Sequence, residues 1–372
     1  MKKNQEMISW WRTDFGQQDI ESVTAAIKGR HMSQGVVTED FETRLAKALD
    51  VPYVVATTSG SMALLMALMA LDIKAGDEVI VPNRTWIATA HAPILLGAKV
   101  ILVDVLPDVP IMDVSQIQKK ITPRTKAIMP VHLNGRAVNM DKVWSIAKDN
   151  GLYVIEDAAQ GLFSEYSGQY LGKYQGTQSD AGCFSLSIAK LIPTGQGGFV
   201  VTQNKKTYQN LKRIRTHGVD DVVNCTFYQM GFNFRFTDLQ ASIGISQLND
   251  AKNRISRFKT IYAKYEQELK QFPFLKLIPV DVASGEIPIY IEVLCEKRDE
   301  LVSFLASHGI QTRPFYPDLN TAPHLGVSGK FPRSEVFGTR GLVLPCGPSQ
   351  PLENIDYVIK TLQQYARGDG SR

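Results

Sequence analysis

The chain has 372 residues, 44% of them apolar, more than one ordinary domain holds and enough for two hydrophobic cores. Forty-one Lys and Arg against 37 Asp and Glu leave a formal charge of +4, with no basic run to track a nucleic-acid backbone. No stretch approaches the roughly 20 apolar residues of a membrane span, Met1-Lys2-Lys3 runs straight into Asn4-Gln5-Glu6, and Cys183, Cys225, Cys295 and Cys346 lack the spacing of a zinc site or disulfide framework. A cytoplasmic protein with reduced thiols is expected, with no metal and no nucleic-acid or membrane partner.

In chain order, Ile20, Val23 and Ile27 recur at helical spacing, as do Phe41, Leu45 and Leu49, which predicts two surface helices with one buried stripe each. From about residue 51, short apolar runs alternate with helical ones, the pattern of a parallel sheet covered on both faces. Strands are predicted at Tyr53–Ala56, Glu78–Val81, Lys99–Val103, Lys126–Val131 and Tyr153–Ile155, with helices at Ser61–Leu71, Trp86–Leu96, Val114–Ile121 and Met140–Asn150. A long amphipathic helix over Asp250–Gln271 leaves the sheet. Beyond it a strand at Ile287–Leu294, a helix at Arg298–His308 and a strand beginning at Ile310–Arg313 make a compact α+β unit. The predicted division is therefore a large α/β domain over residues 1–250 and a small α+β domain over 251–372, ending in a frayed tail from Gly368.

Several residues carry chemistry. Tyr153–Ile155 is an apolar strand that runs into Glu156 and Asp157, and ligands of open α/β sheets bind beyond the carboxyl ends of the strands. Asp157 could equally cap the next helix. Lys190 follows a small, apolar strand and precedes a Gly-rich turn; apolar surroundings lower a lysine's pKa and make its amine a nucleophile, although a lysine at a strand end can also simply reach solvent. A lysine for an aldehyde and a carboxylate for a pyridinium nitrogen are the pair that pyridoxal phosphate (PLP) requires. Thr57-Thr58-Ser59-Gly60-Ser61 opens a helix after the first strand and could hold a phosphate or act as an ordinary N-cap. Trp86, on the same rim, could stack on a flat ring or merely pack. His132, at a strand end, is read as a wall of the same site, with a structural role as the alternative.

With these motifs in place, the chain resembles the DegT/DnrJ/EryC1/StrS family of PLP-dependent sugar aminotransferases from roughly residue 8 to 365. The matching stretches are Ser59–Leu64, Gly76–Pro82, Pro123–Ile128, Glu156–Gln160, the segment around Lys190, Gly231–Arg235 and Arg313-Pro314. The resemblance implies a PLP-dependent transferase of fold type I, with a mostly parallel, mixed seven-stranded sheet between helices and a smaller C-terminal domain. It implies Lys190 as Schiff-base lysine and proton shuttle, Asp157 on the pyridine nitrogen, Gln160 on the ring 3′ oxygen and Trp86 over the ring face. Gly60, Ser61 and Ser185 resemble the phosphate cradle, and Asn233 the residue that reaches that phosphate from the second subunit of a homodimer.

On the substrate side, Ser33, Gln34 and Gly35 fall where family members touch a nucleotide-sugar, and His217, Arg235, Arg313 and Tyr316 are candidate ligands for the sugar or its diphosphate, or else surface ion pairs. The implied reaction is ping-pong, from L-glutamate to a nucleotide-linked keto-sugar, in amino-sugar, O-antigen or polysaccharide biosynthesis. Lys190-Leu191-Ile192-Pro193-Thr194-Gly195-Gln196-Gly197-Gly198 resembles nucleotide-sugar 4-aminotransferases, which points to C4 of a 4-keto-6-deoxy sugar. A cyclitol ketone or a C3 keto-sugar is the rival substrate, and a non-catalytic regulatory or scaffold protein the rival class. The presence of Lys190 argues against the sugar 3-dehydratases of the fold, which carry histidine there.

Overall fold

The computed structural model describes residues 7–166, 168, 172–223 and 225–368. The readings made for residues 1–6 and for the tail at 369–372 lie outside the described residues. Seven strands form the central sheet: β1 (Tyr53–Thr57), β2 (Glu78–Pro82), β3 (Lys99–Val103), β4 (Thr125–Ile128), β5 (Tyr153–Asp157), β6 (Ala181–Ser185) and β7 (Gly198–Thr202), in the order β1-β7-β6-β5-β4-β2-β3. Only β7 runs antiparallel to its neighbours, β1 and β6. This is the mostly parallel, mixed sheet of fold type I. Every residue of β2 and β7 is buried, as strands covered on both faces require.

Helices α1 (Gln17–Lys28), α2 (Val36–Leu49), α3 (Gly60–Ala70), α4 (Ala88–Leu95), α5 (Met140–Asn150), α6 (Lys205–Arg215), α7 (Asp238–Asn249) and α8 (Ala251–Glu268) surround it. Ala, Leu and Met, all strong helix formers, fill α3. The Ser59 hydroxyl caps it by accepting the Met62 amide at 3.2 Å, and residues 63–68 are all buried against β6 and β7. α5 matches its predicted bounds because both ends are marked: Asn139 accepts the Lys142 amide at 3.1 Å, and Gly151 ends the helix at φ 63°.

A second, antiparallel sheet has the order β10-β11-β9-β8, from β8 (Leu275–Leu277), β9 (Ile291–Cys295), β10 (Arg313–Pro314) and β11 (Gly341–Leu344). Helices α9 (Arg298–Ser307), α10 (Pro332–Arg340) and α11 (Leu352–Ala366) accompany it. The chain's first described segment joins this sheet, with Ile8 bridged to Ile310 and Trp11 to Cys346. One hydrophobic core runs from Phe41 and Phe199 through to Val293 and Leu362.

Three expectations change. Val114–Ile121 is not an α-helix but two short 3₁₀ turns, because the Asp113 carboxylate takes the Ser115 amide at 3.1 Å and tightens the first turn. In α1 the face turned to α7 carries Asp19 and Ala26, whereas Ile20 and Ile27 are 61% and 53% exposed, so the predicted buried stripe points outward. The strand begun at Ile310 shortens to one bridge plus β10, since the Ile310 segment is taken up by Ile8. Among the described residues, no helix is long and apolar enough to cross a membrane, and no group of three or more His, Cys, Asp or Glu could hold a metal.

Candidate active site

The carboxyl ends of β1, β2, β5 and β6 open on a cleft of about 310 Å³. Residues following β1 and β2, the last residues of β5 and β6, and the loop after β6 form its floor. Tyr290, Glu292, Arg313 and Tyr316 close it from the smaller sheet, and Trp10 from the N-terminal segment.

At one end α3 points its N-terminus into the cleft. The first amides of a helix have no carbonyl of an earlier turn to bond, so those of Gly60 and Ser61 are available to an anion. Ser185 and Ser187 add hydroxyls opposite, 3.3 Å apart. The approach is too close for a side chain: a Cβ on Gly60 would lie 2.8 Å from the Ser185 Cβ.

In the middle, Asp157 ends β5, 5% exposed, with Oδ2 accepting the Thr89 hydroxyl at 2.7 Å and Oδ1 accepting the Ala159 amide at 3.1 Å. Burial raises its carboxyl above the ordinary range, and those two hydrogen bonds oppose the rise. Lys190 lies on the loop between β6 and β7, fixed because the next two side chains, Leu191 and Ile192, are 1% and 0% exposed. Its Nζ has no hydrogen bond or ion pair among the described residues. Burial, helped by the Arg313 charge, lowers its pKa to about 8 against the pull of Asp157. A neutral amine is thus accessible near physiological pH.

The walls are aromatic. Trp86 is half exposed and meets Tyr316 edge to face, 5.7 Å between centroids at 87°. The Arg313 guanidinium lies 4.9 Å from the Trp10 ring and 6.0 Å from that of Trp86, with no acid paired to it among the described residues. Buried Arg84 pairs with Asp318, donates to the Tyr316 carbonyl at 3.2 Å and sits over the Phe315 and Tyr316 rings, which fixes that wall. The Gln160 Oε1 accepts the Asn134 amide at 2.8 Å, which leaves its NH₂ as the group offered to the cleft.

Lys190, Asp157, Gly60, Ser61, Trp86, Gln160, Ser185, Arg313 and Tyr316 therefore share one cleft. Six other predicted residues do not line the cleft of their own chain. The Ser33 carbonyl accepts the Asp238 amide at 3.0 Å, and the Gly35 amide donates to the Asp238 carboxylate at 2.9 Å, which folds Ser33, Gln34 and Gly35 against α7. His217 is exposed at φ 55°, and Arg235 donates to exposed Asn233 at 2.9 Å. Bridges Thr216↔Asn233 and Thr57↔Arg235 hold the latter group on a rim beside β1. His132 is also not a cleft wall. Its Nδ1 accepts the Val138 amide, so Nε2 donates to Glu156 at 2.7 Å, and the ring is fully buried behind the strand.

Trp10, Thr85, Thr89, Tyr290 and Glu292 belong to the site but escaped the sequence reading. Thr89 could have been found, since it stands three residues after Trp86 at the opening of a predicted helix. Trp10, Tyr290 and Glu292 reach the cleft through strand pairing far along the chain and leave no local signal.

The sequence profile of the DegT/DnrJ/EryC1/StrS aminotransferase family matches residues 13–363. The chain is 36% identical to GDP-perosamine synthase of Escherichia coli O157:H7, over 90% of this chain and 91% of that protein. It is 34% identical to GDP-perosamine synthase of Caulobacter vibrioides, over 89% and 91%. Among solved structures, S. venezuelae DesV in complex with a ketimine intermediate superposes with a TM-score of 0.88 at 30% identity, covering 94% of each chain.

Proposed function

The chain belongs to the DegT/DnrJ/EryC1/StrS aminotransferase family, and from that premise we propose that it moves the amino group of L-glutamate to C4 of a GDP-linked 4-keto-6-deoxy sugar, working in the cytoplasm as a homodimer. It is a PLP-dependent transaminase. The observation that carries the reading is the convergence in one cleft of an unpaired lysine, a buried carboxylate and a helix N-terminus. The two relatives named GDP-perosamine synthase favour GDP and C4. Amination at C3 or of a cyclitol ketone has less support, and the intact Lys190 and Asp157 speak against a scaffold role.

The residues present fit the cofactor. The α3 amides with Ser185 suit a phosphate, Asp157 suits the ring nitrogen, the Gln160 NH₂ suits a ring oxygen, Trp86 suits the ring face and Lys190 suits the aldehyde. When bound, PLP supplies an aldehyde that accepts and returns the amine and a ring that delocalises negative charge. The protein's part is positioning and proton transfer. Lys190 Nζ, with its pKa lowered to about 8 and so partly neutral near physiological pH, would take a proton from the substrate carbon and pass it to the cofactor's aldehyde carbon. Asp157 would hold a proton on the ring nitrogen, with Thr89 fixing the carboxylate's orientation. Trp86 and Tyr316 screen the reacting atoms from water.

Exposed apolar side chains support the dimer: Val223, Phe227 and Met230 are 84%, 76% and 73% exposed on the segment before Asn233. We assign this segment to a subunit interface that carries Asn233, His217 and Arg235, with Ser33 to Gly35, to the partner's cleft. The division into domains at residue 250, between α7 and α8, is part of the same proposal.

The test is an assay of purified protein with L-glutamate against GDP-, UDP- and dTDP-linked 4-keto-6-deoxy sugars, with the visible absorbance of bound cofactor recorded. Turnover of the GDP sugar is expected. Protein without that absorbance, or one that aminates only a cyclitol ketone, would refute it.

A further inference from the structure

Asn134 lies outside the cleft, yet three groups that serve the cleft converge on it. It is fully buried, in the left-handed region at φ 56°, between β4 and α5. Asparagine tolerates that backbone better than most residues. Its side chain grips from both sides the residue that leads into β9 of the smaller sheet: Oδ1 accepts the Tyr290 amide at 2.7 Å, and Nδ2 donates to the Tyr290 carbonyl at 2.9 Å. Nδ2 also donates to Glu292 at 3.1 Å, and Glu292 is held by Arg136 at 2.6 Å. Its backbone N–H, meanwhile, is the donor that occupies the Gln160 Oε1.

The consequences meet at the reacting groups. With Oε1 occupied, Gln160 can present only its NH₂ to the cleft, as a donor. With its backbone pinned, Tyr290 brings its hydroxyl to the Ala189 carbonyl at 2.8 Å, one residue before Lys190. Resting on the functional reading above, we propose that Asn134 is a positioning residue: its backbone sets Gln160 as a hydrogen-bond donor to the cofactor ring, and its side chain ties the smaller sheet to the Lys190 loop through Tyr290. The two halves are separable, because one uses the main chain and the other the side chain.

The experiment uses cofactor-loaded protein and records the pH midpoint of the bound cofactor's visible absorbance alongside kcat and KM. Wild type must show the absorbance and Lys190→Ala must lose it; failure at that step sinks the functional reading, not this inference. A donor facing the ring oxygen favours its anionic form, so loss of the donor raises the midpoint. Asn134→Ala, which resists φ 56° and lacks the grip on Tyr290, is expected to raise it by about one pH unit and to lower kcat roughly tenfold, with KM changing less. Asn134→Gly accepts the backbone and keeps the N–H for Gln160, so it should hold the wild-type midpoint while kcat falls. Should the alanine variant not fold, Asn134→Ser, which tolerates φ 56° less well than asparagine and also lacks the two-sided grip on Tyr290, should raise the midpoint in the same direction with a fall in kcat. A midpoint that shifts equally in the alanine and glycine variants, or wild-type midpoint and kcat in every variant that folds, would overturn the proposal.

Discussion

The Thr89 hydroxyl donates to Asp157 Oδ2 over 2.7 Å and lies 2.8 Å from the Thr85 hydroxyl. Having a single proton, Thr89 gives it to the carboxylate and accepts from Thr85, so two threonines in series orient the acid at the end of β5. Thr89→Val keeps the shape and removes the donor. Cofactor affinity is expected to fall roughly tenfold, the effect of one hydrogen bond to a charged group, read by spectroscopic titration. Unchanged affinity would show that Asp157 needs no second support.

Lys190 gives a stability prediction with a definite sign. Burial takes its pKa from 10.5 to about 8, so between those values the unfolded chain binds more protons than the folded one, and stability at this site rises with pH. Below about pH 8 the folded protein carries the whole penalty of the buried charge. Cofactor-free Lys190→Met should therefore melt a few degrees above wild type at pH 7, and the gap should close by about pH 10.5. A gap that widens with pH would contradict the assignment. Activity, in contrast, should fall on the order of a thousandfold or more.

Gly60 tests the anion cradle. A methyl there would stand 2.8 Å from the Ser185 Cβ, so Gly60→Ala would force α3 and β6 apart at the proposed phosphate site. About tenfold weaker binding of PLP is expected, measured by fluorescence titration, with the free aldehyde pyridoxal affected far less. Equal losses for both compounds would place the damage elsewhere.

Subunit exchange tests the shared site. Lys190→Ala and Asn233→Ala should each be inactive alone, while a random mixture contains heterodimers with one intact cleft. Recovery of roughly a quarter of wild-type activity follows from that count. No recovery on mixing, with exchange confirmed by mass spectrometry, would confine Asn233 to its own chain. Phe227→Asp, at 76% exposure, should lower the sedimentation coefficient to that of a monomer.

Much of the fold was legible because its signals are local. β1, β2, β3 and α5 announce themselves through apolar runs, an Asn cap and a terminal glycine. The 114–121 segment misled because its helical spacing is real, yet Asp113 captures an amide and the chain turns instead. Ile20 and Ile27 misled for another reason: periodicity finds an apolar face without saying whether it meets the core or a second molecule. Of the cleft residues, Asp157 was legible as the end of an apolar strand, Gly60 as the opening of a helix and Lys190 as a lysine between an apolar strand and a Gly-rich turn, whereas Ser185 came only through the family resemblance. Tyr290 and Glu292 were not, since their place depends on a second sheet folding back from more than a hundred residues away.

The bridges that join Ile8 to Ile310 and Trp11 to Cys346 make one wall of the cleft a junction of segments some 300 residues apart in the chain. Trp10 is held in that wall by the segment just after β11, whose Cys346 amide donates to the Trp10 carbonyl at 2.9 Å. The aromatic wall of the cleft is thus a seam between distant parts of the chain, and it is complete only when both are in place.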